Sequence, residues 1–487
     1  MKFSQYAGVA SLLVGATVAK EIPQDLERHR RIFANGQRHM EIMAAKHAIW
    51  DRQQAEGLFT APYPELGYTQ CKAGIAEAIP GDKSNTFRCD NLDLYHFLSH
   101  TALGSKTGQG SSSWGWVAPS GREFVAIAQA DGAAFVEITK EGKMIYLGRL
   151  PQHHDAQPSI WRELRAYRHY ILVGSEAEKH GIQIFDMRKL QSIDPKKPVV
   201  FDTTKDITSS YKNLPIGRTH NVVVDEKNKY AVAVGAAPRS DKCKAGLIFI
   251  DLTDIYNPTS PGCASQDGYV HDAQCLPYKG PDKRYKGRTI CYGYNEDTLT
   301  IYDVTDRTNA TIISRTSYEG ASYTHQGWVL DKSWQDFLIM DDEYDEYNGQ
   351  GPAKDGRPIT YIWDIKDLHN PKQTGYYKGN VRAIDHNQYI VDGLVYQSNY
   401  GSGLHVVDIT SIPKDPSGAG VHEVAFFDIY PEDDDKEDGG VLEFVGSWSS
   451  YAMLPSGFVL INSIERGAFI VKMQRKSIKP RGGRLGW

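Results

Sequence analysis

Phe249-Ile250-Asp251-Leu252 is followed further along the chain by Ile301-Tyr302-Asp303-Val304, and the same ending recurs elsewhere. Ile184-Phe185-Asp186-Met187, Ile362-Trp363-Asp364-Ile365 and Val406-Val407-Asp408-Ile409 repeat it; Phe135-Val136-Glu137-Ile138 and Ile470-Val471-Lys472-Met473 are looser versions. Short β-branched and aromatic runs of this kind, bounded by turn residues, are strand signals. Each ending closes a unit with an opening strand, a second strand and a loop. A fourth strand follows in most units, such as Lys143 to Leu150, Thr311 to Tyr318 and His422 to Ile429. Repeats of about 45 to 60 residues with four short strands each predict an all-β, seven-bladed β-propeller.

The seventh unit ends at Met473 without a fourth strand of its own. The apolar run Leu92-Asp93-Leu94-Tyr95-His96-Phe97-Leu98, just ahead of the first unit, is expected to supply it and so close the ring. Ahead of that, Gln24 to Gly57 is rich in Glu, Arg, Ala and Met and reads as an amphipathic helical arm packed on the propeller. The expected organisation is a signal peptide over 1–19, the arm over 20–62 and a disulfide-linked lead-in with closing strand over 63–100. The propeller follows over 101–475, and then a basic tail over 476–487.

Lys2, the apolar stretch Tyr6 to Val18 and the small residues Thr17 and Ala19 form the signal-peptide pattern. No later segment is long and apolar enough to span a bilayer. With a net charge of -5 there is no electrostatic footprint for nucleic acid. The six cysteines suit an oxidising compartment, and their order suggests the pairs Cys71–Cys89, Cys243–Cys263 and Cys275–Cys291. Cys243 and Cys263 flank the turn near Asp254–Pro258, and Cys275 and Cys291 flank the Lys279–Lys286 loop, as partners across adjacent strands would. No C-x-x-C pair argues for zinc. Asn309-Ala310-Thr311 is a glycosylation sequon. The expected protein is secreted, extracellular and monomeric.

Several motifs together resemble one family. They are Cys89-Asp90-Asn91-Leu92-Asp93-Leu94, Trp114-Gly115-Trp116, His271-Asp272-Ala273-Gln274-Cys275, Asn295-Glu296-Asp297-Thr298-Leu299, Thr324-His325-Gln326-Gly327-Trp328 and Asp385-His386-Asn387-Gln388-Tyr389. Over roughly residues 85 to 475 the chain resembles the choice-of-anchor B family of secreted or surface LVIVD-repeat β-propellers. Fungal members often carry a regulatory-P-domain label. The resemblance implies a propeller and an extracellular address, and it implies no reaction.

Histidines recur at the openings of four successive units: His220, His271, His325 and His386. Trp114, Trp161-Arg162 and Trp448 are placed at the other openings, and Glu176, Glu296, Asp341, Asp342, Glu343, Asn399 and Glu465 at second-strand ends. In a propeller both sets face one funnel. Imidazoles from separate strands suit a divalent ion such as zinc or manganese, with calcium a further candidate. The alternative is that each histidine ties its strand to the next blade. The acidic run Asp341 to Glu346 reads as a solvated rim loop, and Glu432 to Asp438 as a flexible connection.

Two functions follow. The first is an extracellular binding or scaffold propeller for a protein or carbohydrate. The second is a metal-assisted enzyme on an acidic carbohydrate, resembling a uronate lyase, with His220, Glu296 and Arg162 as catalytic candidates. Trp114, Trp161, Glu176, Asp272, Gln326, Asn387 and Trp448 are the expected substrate-binding residues. No phosphate loop or dinucleotide fingerprint appears, so no nucleotide cofactor is expected.

Overall fold

The computed structural model describes residues 20–474; the signal-peptide and basic-tail segments lie outside the described residues. Seven sheets follow one another around a ring, antiparallel throughout except where Val199–Val200 pairs parallel to Met144–Pro151. The innermost strands, in order, are Gly110–Val117, Arg162–Tyr167, Asn221–Asp225, Asp272–Pro277, Thr324–Val329, Gln388–Val391 and Ser447–Tyr451. We number the blades one to seven accordingly. The fourth strand of blade one is Met144–Pro151, that of blade four is Thr311–Tyr318 and that of blade six is His422–Phe427.

Leu92–Ser99 is the outer strand of blade seven, antiparallel to Gly467–Met473, with Ser99 opposite Gly467 and Leu92 opposite Met473. The ring is thus closed by a strand that precedes blade one in the chain. Strand alternation explains why closure is needed. In Glu123–Gln129, Phe124, Ala126 and Ala128 pack toward blade two, while Val125 and Ile127 pack toward blade seven. Every blade is apolar on both faces, so every interblade gap is a core. Three blades gain short strands at their outer edges: Val199–Val200 on blade one, Glu21–Ile22 on blade four and Thr86–Asp90 on blade six. These cover hydrogen-bonding edges that would otherwise be open.

Disulfides join Cys71–Cys89, Cys243–Cys263 and Cys275–Cys291. Cys275 and Cys291 are direct cross-strand partners in blade four. Cys243 differs from the expectation: it lies in the loop before strand Leu247–Asp251, so its bond ties a loop to strand Thr259–Ala264. Asn309 is exposed at a turn. Among the described residues no helix is long and apolar enough to cross a membrane.

The arm is helical in pieces. A single turn at Leu26–Arg28 and a wider one at His29–Phe33 precede a break at Gly36, whose φ of 78° suits glycine. The main arm helix, Gln37–Ala55, then crosses the funnel mouth. Its buried residues are Ile42, Lys46, Ile49, Trp50 and Gln53, one stripe at helical spacing.

Candidate functional site

His220 and His271 directly precede their inner strands, His325 is the second residue of its strand, and His386 lies two before its own. The four rings form a continuous arc. Centroids are 4.1 Å apart from His220 to His271, 4.2 Å to His325 and 4.6 Å to His386. The indole of Trp448 continues the arc at 5.0 Å.

Each imidazole is held from outside the arc through Nδ1. His386 Nδ1 donates to the Trp448 carbonyl at 2.6 Å, and His271 Nδ1 donates to the His325 carbonyl at 3.0 Å. His220 Nδ1 contacts Glu176 Oε1 at 2.5 Å, and His325 Nδ1 contacts Asp341 Oδ1 at 3.3 Å. A carbonyl can only accept, so the proton of neutral His271 and of neutral His386 sits on Nδ1 and the lone pair on Nε2. Burial pushes the His271 and His325 pKa values well below normal, and His386 down to about 4. Neutral rings with oriented Nε2 lone pairs are the form that ligates metal.

Glu343 completes the constellation. Ligand atoms of His271, His325 and Glu343 lie within 4.8 Å of one another. His386 Nε2 is 3.5 Å from Glu343 Oε1, and His325 Nε2 is 4.0 Å from Oε2. Oε1 accepts from Lys46 Nζ at 2.5 Å and from the Tyr400 hydroxyl. Oε2 is buried without a hydrogen-bond partner. Burial opposes ionisation of Glu343, but the Lys46 ammonium together with His386 and His271 outweighs it and the pKa falls to about 2. The space between Lys46, the four histidines, Trp161 and Trp448 is a cavity of about 10 Å³, room for one ion or water.

The arm closes this cavity and was not legible as part of the site. Gln24 and His29 bond Asp297, Arg28 donates to the Ala321 carbonyl, and Arg239 donates to the Phe33 carbonyl. Further along, His39 contacts the Tyr323 hydroxyl, Trp50 Nε1 donates to the Phe444 carbonyl and Gln53 donates to Glu465. Second-strand-end acids thus meet the arm: Glu343 and Glu465 directly, Glu296 through Arg239. The lone lysine within the apolar stripe Ile42, Ile49 and Trp50 was the available signal.

The other expected site residues divide. Trp161 and Trp448 line the cavity and flank Trp50, with centroids 5.2 and 6.2 Å away. Glu176 pairs with His220 and with Arg218 at 2.6 Å. Asn387 donates to the Trp448 carbonyl at 3.1 Å. Gln326 Oε1 accepts from the Gln388 amide, and Asp272 is buried, with Oδ1 accepting from the Ala273 amide. Arg162 faces away from the funnel: it donates to the Gln129 and Ala130 carbonyls and contacts His180. Glu296 is engaged by both terminal nitrogens of Arg239, at 2.9 and 2.6 Å.

Trp114 is mid-strand, not at the opening of blade one, because that strand starts at Gly110 with a register shift before Ser113. Trp114 instead joins a second axial layer with Arg165, Tyr389 and Glu163. The Arg165 guanidinium lies 4.5 Å from the Trp114 ring, donates to the Tyr389 hydroxyl at 3.1 Å and pairs with Glu163 at 3.3 Å. Nor is the acidic run at Asp341 to Glu346 solvated: Asp341, Asp342, Glu343, Asp345 and Glu346 are all buried. Burial and mutual repulsion raise Asp341, Asp345 and Glu346 well above ordinary carboxyl pKa values, which disfavours their ionised forms. In the Glu432–Asp438 stretch, Asp433 and Asp434 gather with Asp428 beside Arg88.

These features define a seven-bladed β-propeller whose axis carries an arc of anchored imidazoles under a helical cap. No protein-family model matches the chain, and no curated protein is similar to it in sequence. Among solved structures it is similar to the computationally designed Ika8 protein, at 11% identity and a TM-score of 0.42, over 84% of this chain and 96% of that one. It is also similar to the C-terminal WD40 domain of Sif2, at 10% identity and a TM-score of 0.44, over 85% of this chain and 97% of that one. Likenesses this distant carry no argument about activity.

Proposed function

We propose that this is a secreted binding propeller that holds one divalent transition-metal ion at His271, His325 and Glu343, with His220 and His386 beside them. The observation that carries the metal reading is the Nδ1 anchoring of all four imidazoles, which leaves every Nε2 as the nitrogen available at the axis. A purely structural peg needs only the outward bond; it does not need second nitrogens brought to 3.5 and 4.0 Å from a buried carboxylate whose Oε2 has no hydrogen-bond partner. Neutral imidazoles with one carboxylate suit zinc or manganese better than calcium, which prefers oxygen ligands. Three disulfides and an exposed sequon support the extracellular address. The motif resemblance to choice-of-anchor B propellers supports a binding role. The expected partners are an extracellular protein or carbohydrate.

One observation favours the metal-assisted lyase as a second reading. His220 is paired with Glu176, whose pKa is held at about 2 by His220 and Arg218 in spite of burial. An imidazole oriented this way can take a proton at Nε2. A bound ion would supply charge neutralisation for a sugar carboxylate. Arg162 and Glu296 are committed elsewhere, and a substrate reaches His220 only with the arm displaced.

Elemental analysis of the purified chain tests the metal reading. One equivalent of zinc or manganese, lost in His325→Ala with the circular dichroism spectrum unchanged, is expected. A metal-free wild type that takes up no added zinc or manganese overturns it.

A further inference from the structure

Lys46 is the residue whose burial most needs an explanation. It is a lysine at 2% exposure at the centre of the arm helix, with its side chain pointed down the axis of a ring that is otherwise complete without it. Its ammonium meets one carboxylate and three aromatic faces. Glu343 Oε1 is 2.5 Å away, and the ring centroids of Phe444, Trp448 and Tyr400 are at 5.1, 5.8 and 5.9 Å. A carboxylate combined with aromatic faces at these distances is the arrangement that recognises organic ammonium groups.

None of these receptor groups belongs to the arm. Glu343 comes from blade five, Tyr400 from blade six, and Phe444 and Trp448 from the entry to blade seven. The Tyr400 hydroxyl holds Glu343 independently of Lys46. The stem of the lysine passes a mouth lined by Trp161, Tyr269, Tyr323, Tyr344, Phe444 and Trp448, which receives Ile42, Ile49 and Trp50 of the helix. The helix sits there as an amphipathic peptide sits in a groove, with an apolar residue four before the lysine and two more at three and four after it. No disulfide holds it; the three bonds of the chain all lie beyond it.

We propose that the funnel floor is a binding site for the primary ammonium of a lysine side chain carried on an amphipathic segment of another protein, and that the arm helix occupies it in cis. The inference rests on the binding-propeller reading and names the partner's chemistry. It does not require the metal: the ammonium uses Oε1 of Glu343, with His386 Nε2 3.5 Å from that oxygen, while Oε2, 4.0 Å from His325 Nε2, stays free of it. Displacement of the arm exposes the carboxylate, the aromatic faces and the apolar mouth together. A partner helix with the spacing of Ile42, Lys46, Ile49 and Trp50 then fits the same surface.

The experiment uses the full chain. Lys46→Ala removes three methylenes and the ammonium, opening a slot no longer than a propyl chain and ending at Glu343, and n-propylammonium is the probe. A saturable rise in Tm of about 2 °C is expected for Lys46→Ala. No such rise is expected for wild type, for n-propanol as the probe, or for Lys46→Ala combined with Glu343→Gln. Absence of a saturable rise in Lys46→Ala, or an equal rise with n-propanol, overturns the proposal. A second measurement covers the case in which the variant does not fold. Hydrogen exchange of residues 37–55 in wild type is expected to quicken with a synthetic peptide of that sequence, and not with the same peptide carrying norleucine for lysine. Equal effects of the two peptides, or no effect of either, overturn the proposal. Metal content measured on the same samples reports separately on the metal reading.

Discussion

Lys46→Met in the intact chain isolates the ion pair that holds the arm. The methionine keeps the apolar stem and removes the charge, so Glu343 is left at 0% exposure with its ammonium partner gone. Breaking one side of a buried pair costs about 3–5 kcal/mol. Two features place the expected loss at the lower end, at about 3 kcal/mol. The Tyr400 hydroxyl still bonds Glu343 Oε1, and Glu343, no longer held at about 2, can take up a proton. The loss falls on arm docking, because the ring's interblade cores contain no arm residue. A local loss of that size raises the open population of the arm about a hundredfold, which native-state hydrogen exchange reads directly at the amides of Gln37–Ala55. Exchange in the Leu92–Ser99 closing strand should not change. Combining Lys46→Met with Glu343→Gln removes the orphaned charge and should restore most of the protection. An acceleration of less than about fivefold, or a double variant as labile as the single one, would refute the reasoning.

Two further outcomes follow from burial. Glu465 receives bonds from Gln53 and the Gly446 amide, yet burial still lifts its pKa to about 7 from 4.5. A raised carboxyl favours the protonated folded form, so its contribution is lost as pH rises from 4.5 through 7; Glu465→Gln should flatten that part of the stability–pH curve by at most about 3 kcal/mol, measured by denaturant unfolding at each pH. Phe97 is 1% exposed in the closing strand, its ring 4.4 Å from that of Phe469; Phe97→Ala should destabilise the ring by about 3–5 kcal/mol in the same assay, and a loss under about 1 kcal/mol would mean the closing strand contributes little.

The propeller was legible because each blade repeats a local pattern, and strand alternation is a property of neighbouring residues. The closing strand Leu92–Ser99 was legible for a related reason: the seventh unit lacked one strand and an apolar run lay unassigned. The histidine arc followed from blade register. What the repeats did not carry was anything supplied from outside them. Lys46 meets Glu343 across 297 positions of sequence, and no local period encodes that contact. The acidic run at Asp341 misled because charge density usually marks solvent, whereas here the run is buried at the end of the second strand of blade five, Phe337–Asp342. Trp114 was misplaced because Gly110-Ser111-Ser112-Ser113 has no apolar alternation to mark a strand start. Arg162 was adjacent in sequence to the funnel residue Trp161, but it begins the strand Arg162–Tyr167 and its guanidinium is taken up by the Gln129 and Ala130 carbonyls.

Anomalous diffraction from crystals of the full chain grown with zinc or manganese tests the metal centre most directly. The account predicts a single axial peak at about 2.0–2.2 Å from Nε2 of His271 and His325 and from Glu343 Oε2, with Nδ1 of each histidine still bonded outward. No peak at the axis, or a peak bound through Nδ1, would contradict it.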